Sequence, residues 1–157
     1  MNMFYLNENP KVCSIEHCDK HIVKMPLEHI KMEYFAHIKD KTYFSNKPHS
    51  YFNHPVSIWV RESIENYRYI AKLTMELFKE YTFRYGKTHA WEVLGKWLLD
   101  NEPDLPNIPM TKIPLCMDDK YKTDNPTQSY KNYYIGDKLR FAKWTKRNIP
   151  KWINKND

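Results

Sequence analysis

Ionisable side chains recur at helical spacing between residues 17 and 31. At about 100° per residue, six of them fall within one stripe roughly 100° wide. They are His17, Lys20, His21, Lys24, Glu28 and Lys31. Apolar side chains occupy the remaining directions, which predicts a helix that is buried on most sides and polar along one seam. Imidazoles, ammonium groups and a carboxylate in one groove can tune one another's pKa values, as general acid–base catalysis requires.

Two other interpretations of this stretch stay open. Solvated charges, with histidines in ordinary hydrogen bonds, give the same spacing. Cys13, His17 and His21 lie four residues apart in series, and with Cys116 as a distant fourth ligand they are an acceptable zinc set. The acid that a zincin HExxH motif needs between its histidines is missing. We therefore predict no metal and no other cofactor.

Length and composition indicate the fold class. The 157 residues, 41% hydrophobic and 15% aromatic, suffice for one well-buried domain over 1–157 and are too few for two. The low glycine content, three residues in the chain, argues against a turn-rich β-sandwich. We predict a mainly α fold, a single compact helical domain with crossing long helices and an extended N-terminal segment.

Caps and prolines mark the elements that must position the polar seam. Asn9-Pro10 and Asn125-Pro126 each place a capping residue before a proline at the first helical position. Pro26 should kink the first helix, and Gly86 should end the second. The predicted helices are 10–38, 55–85, 89–99 and 126–148. Residues 39–53 are predicted to be a loop, and so are the two dozen residues after the third helix, which contain Pro103, Pro106, Pro109 and Pro114.

Charge and aromatic content point to a polyanionic partner. The formal charge is +6 and the pI is about 9.1. In the last helix, Tyr130, Lys131 and Lys138 interleave rings that could stack on bases with cations that could pair with phosphates. Packing in a core would also produce the tyrosine spacing. We predict that DNA or a nucleotide is bound by His17, Lys20, Lys24, Lys31, Tyr130, Lys131 and Lys138.

Two absences in the sequence suggest a compartment. No apolar run approaches the roughly 18 residues of a membrane span, and Glu8 and Pro10 interrupt the region where a signal peptide has its apolar core. Three cysteines without framework spacing fit reduced thiols. We expect a cytoplasmic protein with no membrane partner, and a monomer is favoured.

Four groups of residues occur in an order that suggests a family. They are Met1-Asn2-Met3-Phe4-Tyr5-Leu6, Asp19-x-His21 with Glu28, His54-Pro55 with Trp59 followed by Glu80, Arg84, Tyr85 and Gly86, and Tyr130-Lys131-Asn132-Tyr133-Tyr134. This series resembles the endonuclease V type pyrimidine-dimer DNA glycosylases, small helical proteins of phages and bacteria that excise damaged bases and cut the abasic strand. The chain also resembles a group of phage proteins that carry Asp-Lys-His-x-x-Lys-Met-x-x-Glu, which would place it in the host cytoplasm.

The resemblance implies an α-amine nucleophile, a catalytic glutamate and DNA as the partner. Because Asn2 is not a small residue, we expect Met1 to be retained and to carry the amine. Glu28 is then the carboxylate, and His21 orients it or binds phosphate. An α-amine with a pKa of roughly 7.7–8.0 is partly neutral near pH 7 without tuning. The alternative is a phage protein that binds nucleic acid or a nucleotide in the same groove without turnover.

Overall fold

Two long helices pack against each other in the computed structural model, which describes residues 2–38 and 51–153. They are α2 (Asp19–Ile38) and α4 (Ile64–Tyr85). The shorter helices are α1 (Pro10–Glu16), α3 (Pro55–Glu62), α5 (Glu92–Asp100) and α6 (Pro126–Tyr133). The described residues contain no β-strand. The predicted mainly α fold, a compact helical domain, is therefore confirmed.

The N-terminal segment runs into the core without forming a helix. Met3 and Leu6 are fully buried, and Phe4 and Tyr5 are nearly so, in the same apolar cluster as α2 and α4. The Tyr69 hydroxyl of α4 donates to the Asn7 carbonyl at 2.7 Å. The segment is thus fixed along the long helices, as the sequence predicted.

The first predicted helix is in fact two helices. α1 ends at Glu16, His17 is extended with ψ 137°, and α2 begins at Asp19. The C-terminal segment fills the gap, because the Asp19 N–H donates to the Lys143 carbonyl at 2.8 Å and Trp144 Nε1 donates to the Glu16 carbonyl at 3.0 Å. The prediction of one helix over 10–38 was therefore wrong, and His17 lies at the break between α1 and α2.

The second predicted helix is also divided. Ser63 is extended at φ −149° and separates α3 from α4; its hydroxyl accepts from the Glu65 N–H and donates to the Ile108 carbonyl at 2.6 Å. Gly86 ends α4 at φ 65°, as predicted, because glycine adopts the left-handed conformation without a steric penalty.

The remaining boundaries differ in part from the prediction. α5 begins at Glu92, three residues later than predicted, and α6 ends at Tyr133 instead of near residue 148. A π-helical turn (Tyr134–Lys138) and a 3-10 turn (Leu139–Phe141) follow α6. Residues 101–125 are irregular apart from a 3-10 turn at Asp119–Tyr121, as predicted. Residues 39–50 of the other predicted loop lie outside the described residues.

None of the helices in the described ranges combines the length and the apolar character that crossing a membrane would require.

Candidate functional site

A cavity of about 300 Å³ opens between α2, the N-terminal segment and the turns after α6. Its lining residues are Asn2, Phe4, Lys20, His21, Lys24, Met25, Glu28, Tyr133, Lys138 and Phe141. Five of them come from successive turns of α2, where residues three or four apart share a face. The structure thus brings together five of the predicted site residues: Lys20, His21, Lys24, Glu28 and Lys138.

Glu28 connects α2 to the start of the N-terminal segment. Its Oε2 accepts from the Asn2 N–H at 3.2 Å, and its Oε1 lies 3.1 Å from Lys24 Nζ. The Glu28 side chain is 14% exposed and that of Lys24 is 71% exposed. The carboxylate is therefore held inside the cavity, and a lysine reaches it from the rim.

Asn2 fixes the backbone that closes the cavity. Its Nδ2 donates to the Cys116 carbonyl at 3.0 Å, and its Oδ1 accepts from the N–H groups of Met3 and Phe4. Phe4 is held at φ 50°, a left-handed conformation that costs a residue other than glycine about 1–3 kcal/mol. This conformation places the Phe4 ring parallel to the His21 ring at a centroid distance of 4.1 Å.

His21 is held as a neutral imidazole. Its ring lies between Phe4 and the edge of Phe141, and its Nδ1 is hydrogen-bonded to the Tyr134 hydroxyl. Burial, followed by the charges of nearby groups that include Lys138, lowers the pKa of His21 to about 2. At neutral pH His21 can therefore donate or accept a hydrogen bond but cannot supply a positive charge for phosphate.

Two lysines stand over aromatic rings of the cavity. Lys20 Nζ lies 4.6 Å from the centroid of Phe141, and Lys138 Nζ lies 4.6 Å from that of Tyr133. Such cation–π contacts hold an ammonium group beside an apolar surface. Three lysines and one glutamate leave the lining with a net positive charge. The cavity therefore suits a ligand that combines a phosphate with a flat, uncharged group.

The π-helical turn determines where Lys138 and Tyr134 lie. Turns of this type often occur at functional sites. Within it, a Cβ at Gly136 would collide with the Tyr121 ring, whose hydroxyl donates to Asp137 Oδ1 at 2.7 Å. Glycine is therefore needed for Tyr121 to pack against this turn.

Positive charge is concentrated toward the C-terminal end of the chain. Residues 119–153 contain nine lysines and arginines and three aspartates, a net +6 that equals the formal charge of the whole chain. This region supplies Lys138 to the cavity.

Two predicted binding residues are buried. His17 is 0% exposed, and its Nδ1–H donates to the Cys13 carbonyl at 2.7 Å; burial lowers its pKa to about 4. Tyr130 is also 0% exposed and donates to the Pro114 carbonyl at 2.7 Å. Contacts of these two side chains with nucleic acid are incompatible with this packing, and the prediction for them was wrong.

Other predicted residues lie elsewhere. Lys31 is exposed on α2 outside the cavity lining. Lys131 lines a separate depression, and its Nζ lies 5.8 Å from the Trp152 ring centroid. Met1 is outside the described residues, although the amide that follows it, on Asn2, is the group bound by Glu28.

The zinc alternative finds no support in this geometry. The Cys13 thiol donates to the Phe4 carbonyl at 3.5 Å, and the His17 ring is hydrogen-bonded to backbone. Across residues 2–38 and 51–153, no three histidine, cysteine or acidic side chains are arranged to hold a metal ion.

Several lining residues were not predicted as site residues. Asn2 and Phe4 lie in an apolar segment without an obvious chemical signal, and Phe141 belongs to the end of the predicted last helix. Tyr133 stands among the tyrosines and lysines after Tyr130, where the alternation of rings and cations could have indicated it.

Comparison of the chain with protein-family models, curated proteins and solved structures found no match. Function must therefore be inferred from the cavity itself and from the motifs in the sequence.

Proposed function

We propose that this cavity is the active site of a DNA glycosylase with abasic-site lyase activity. The observation that carries the proposal is the contact between Glu28 and the N-terminal segment, in which a shielded carboxylate accepts the Asn2 N–H at 3.2 Å. The α-amine of Met1 directly precedes that amide in the chain. An amine nucleophile beside a carboxylate in a cationic cavity is the combination that lyase chemistry needs.

The chemistry begins with attack of the amine on C1′ of the sugar. In a base-bearing nucleotide the glycosidic bond breaks and the base leaves with the proton that the amine loses; the C1′–O4′ bond then opens as the C=N bond forms, and O4′ takes a proton from water. At an abasic site the amine condenses with the C1′ aldehyde and water leaves. The resulting protonated Schiff base acidifies C2′. Glu28 stabilises the positive charge and carries the proton from C2′, and the C3′–O bond breaks with its electron pair leaving on the 3′ phosphate. Lys20, Lys24 and Lys138 hold the phosphates on either side.

The test is reductive trapping. Incubation of the protein with an oligonucleotide containing one abasic site, in the presence of borohydride, should give a covalent protein–DNA adduct, because reduction converts the Schiff base into a stable amine. Peptide mass spectrometry should find the adduct on the α-amine of Met1. A protein with an uncleaved N-terminal tag should give no adduct and no strand scission.

Two results would contradict this proposal in different ways. An adduct on Lys24, with full scission by the tagged protein, would move the nucleophile from the α-amine to the cavity rim. Intact abasic DNA after incubation with stoichiometric protein would remove catalysis altogether.

A second prediction concerns the phosphate contacts. Binding of DNA should weaken steeply with salt, by about 0.9 logarithmic units per logarithm of salt for each phosphate neutralised. Lys138→Gln should lower that slope by about one unit and weaken binding to DNA of any sequence by the same factor. The measurement is a fluorescence-anisotropy titration at several salt concentrations.

Lys96→Gln is the matched control for these titrations. Lys96 is 68% exposed and pairs with Asp100 on α5 at 2.9 Å, outside the cavity lining. Its removal should leave the slope unchanged. Equal changes for the two variants would assign the salt dependence to overall charge.

One observation favours a second function, binding without turnover. Both Glu28 oxygens are engaged, by the Asn2 N–H and by Lys24, so the carboxylate also serves to anchor the N-terminal segment. In that case the cavity would hold a nucleotide or a nucleic-acid strand between its lysines and rings. This function predicts salt-dependent binding with no adduct and no scission.

A further inference from the structure

Tyr134 lies directly behind His21. It is the first residue of the π-helical turn and is 1% exposed. Its phenol oxygen accepts from the Cys18 N–H at 3.2 Å, and the same oxygen is hydrogen-bonded to His21 Nδ1. Tyr134 and His21 are separated by 113 residues in the chain, so this contact exists only in the folded protein.

The proton positions follow from the partners of the phenol. A tyrosine hydroxyl carries one proton, and the Cys18 amide already donates to its oxygen. Among the described residues, its other hydrogen-bond partners are His21 Nδ1 and the Cys18 thiol, whose sulfur is a weak acceptor beside an imidazole nitrogen. A buried hydroxyl that left its proton unpaired would lose about 1–3 kcal/mol. The phenol therefore donates to Nδ1, and the proton of the neutral imidazole is on Nε2.

We propose that Tyr134 is a positioning residue that holds His21 in its Nε2–H tautomer, so that His21 presents a fixed, uncharged hydrogen-bond donor to a ligand oxygen in the cavity. The ring is also fixed in orientation, by Phe4 on its face and Phe141 at its edge. A neutral hydrogen-bond donor selects a ligand by the position of the accepting oxygen and not by the charge of the ligand. It suits a phosphate, sugar or carbonyl oxygen that the cavity lysines have already attracted. The catalytic part of this inference rests on the proposed function.

The surroundings of His21 support the neutral state. His17 lies 6.3 Å away between ring centroids, and the ammonium groups of Lys24 and Lys138 lie close enough to lower the pKa further. Lys20, the residue directly before His21 in α2, lines the same cavity. A hydroxyl that donates to Nδ1 stabilises the neutral ring in addition, since protonation would require that nitrogen to donate.

The test is nitrogen NMR of the histidine rings, in which His21→Gln identifies the His21 signals. In the wild-type protein His21 should show an unprotonated Nδ1 and a protonated Nε2. In Tyr134→Phe the two tautomers should mix and the pKa of His21 should rise. Affinity for abasic DNA, or the rate of scission, should fall about tenfold, which corresponds to roughly 1.4 kcal/mol. In this variant, the affinity or rate should also become pH-dependent in acid, where the His21 ring takes up a proton.

Tyr67→Phe is the matched control. Tyr67 is also fully buried, and its hydroxyl contacts a histidine, His37 Nε2, at 3.1 Å while donating to the Leu98 carbonyl at 2.7 Å. This variant loses the same group from a buried site on α4. It should alter the His37 signals and leave those of His21, and the pH profile of DNA binding, unchanged.

The NMR measurement separates this inference from the proposed function. A protonated Nδ1 on wild-type His21, or an unchanged His21 tautomer in Tyr134→Phe, would overturn the role of Tyr134 whatever the protein does to DNA. If Tyr134→Phe unfolds the protein, the wild-type spectrum alone still decides which nitrogen carries the proton. Absence of DNA scission with the expected tautomer would overturn the lyase proposal only.

Discussion

Glu28→Gln should reduce scission of abasic DNA by a factor of about 100 or more, because it keeps the shape of the side chain and removes the charge that stabilises the Schiff base. The amide oxygen of glutamine can still accept the Asn2 N–H, so the N-terminal segment should stay in place. Circular dichroism and thermal unfolding should therefore remain close to those of the wild-type protein.

The same variant should bind DNA at least as tightly as the wild-type protein. Loss of the carboxylate makes the cavity more positive and frees Lys24, which lies 3.1 Å from Glu28 Oε1, to pair with a phosphate. Binding and scission would then change in opposite directions. A variant that was simply damaged would lose both.

Glu76→Gln is a close control, because its surroundings resemble those of Glu28. The Glu76 side chain is 20% exposed and pairs with Lys79 at 2.5 Å on α4, as Glu28 pairs with Lys24 on α2. Glu76 does not line the cavity. Scission by this variant should equal that of the wild-type protein. If both variants cut at the wild-type rate, Glu28 has only the anchoring role and another group must stabilise the Schiff base.

The part of the site that the sequence predicted is the part that depends on one helix. Lys20, Lys24 and Glu28 are four residues apart, so any helix through them places them on one face. The same local reasoning predicted the end of α4 at Gly86, where the left-handed conformation favours glycine.

The remainder depends on contacts between distant parts of the chain. The break at His17 is set by residues 143 and 144, whose backbone and indole groups satisfy the ends of α1 and α2. Asn2 reaches Glu28 across 26 residues, and Tyr134 reaches His21 across 113. No local period encodes such separations, so the Tyr134 contact could not be predicted, and the N-terminal segment was associated with Glu28 only through the family resemblance.

Tyr130 illustrates a different difficulty. Aromatic residues at helical spacing arise both in a core and on a stacking surface, and the cations between them do not distinguish the two. The structure buries Tyr130 and leaves Tyr133, three residues on, in the cavity lining. The pattern thus indicated a helix that reaches the cavity, but it did not indicate which of its rings lines the cavity.

Arg84→Met should lower the free energy of unfolding by about 3–5 kcal/mol, the cost of removing one partner from a buried ion pair. The Arg84 side chain is 0% exposed and donates to Glu80, Asp19 and the Ile15 carbonyl at 2.7–3.0 Å. Methionine fills much of the same volume but leaves the carboxylates without this partner. Arg147 still pairs with Glu80, so the loss should fall near the lower limit.

Arg68→Met provides the matched comparison. Arg68 also bridges two carboxylates, those of Glu65 and Glu102, each at 2.7 Å, but its side chain is 39% exposed. Ion pairs between solvent-exposed groups contribute little, so the unfolding midpoint of this variant should stay close to that of the wild-type protein. With a slope of about 2 kcal/mol per M of urea, Arg84→Met should lower the unfolding midpoint by about 1.5 M. Similar midpoints for the two variants would show that burial does not make the Arg84 network important.

The difference in free energy of unfolding between the wild-type protein and Arg84→Met should become smaller at acid pH. Burial raises the pKa of Glu80, but hydrogen bonds from Arg147 and Arg84 outweigh it and hold that pKa below its usual 4.5; Thr145 and Arg84 do the same for Asp19, usually 3.8. Groups with a lowered pKa stabilise the folded state above their usual pKa and lose that contribution as pH falls through the lowered value. Urea titrations at neutral pH and below about pH 4 should therefore show a smaller difference at the lower pH. A constant difference would mean that packing around the Arg84 side chain, and not its charge, stabilises the junction of α1, α2 and α4.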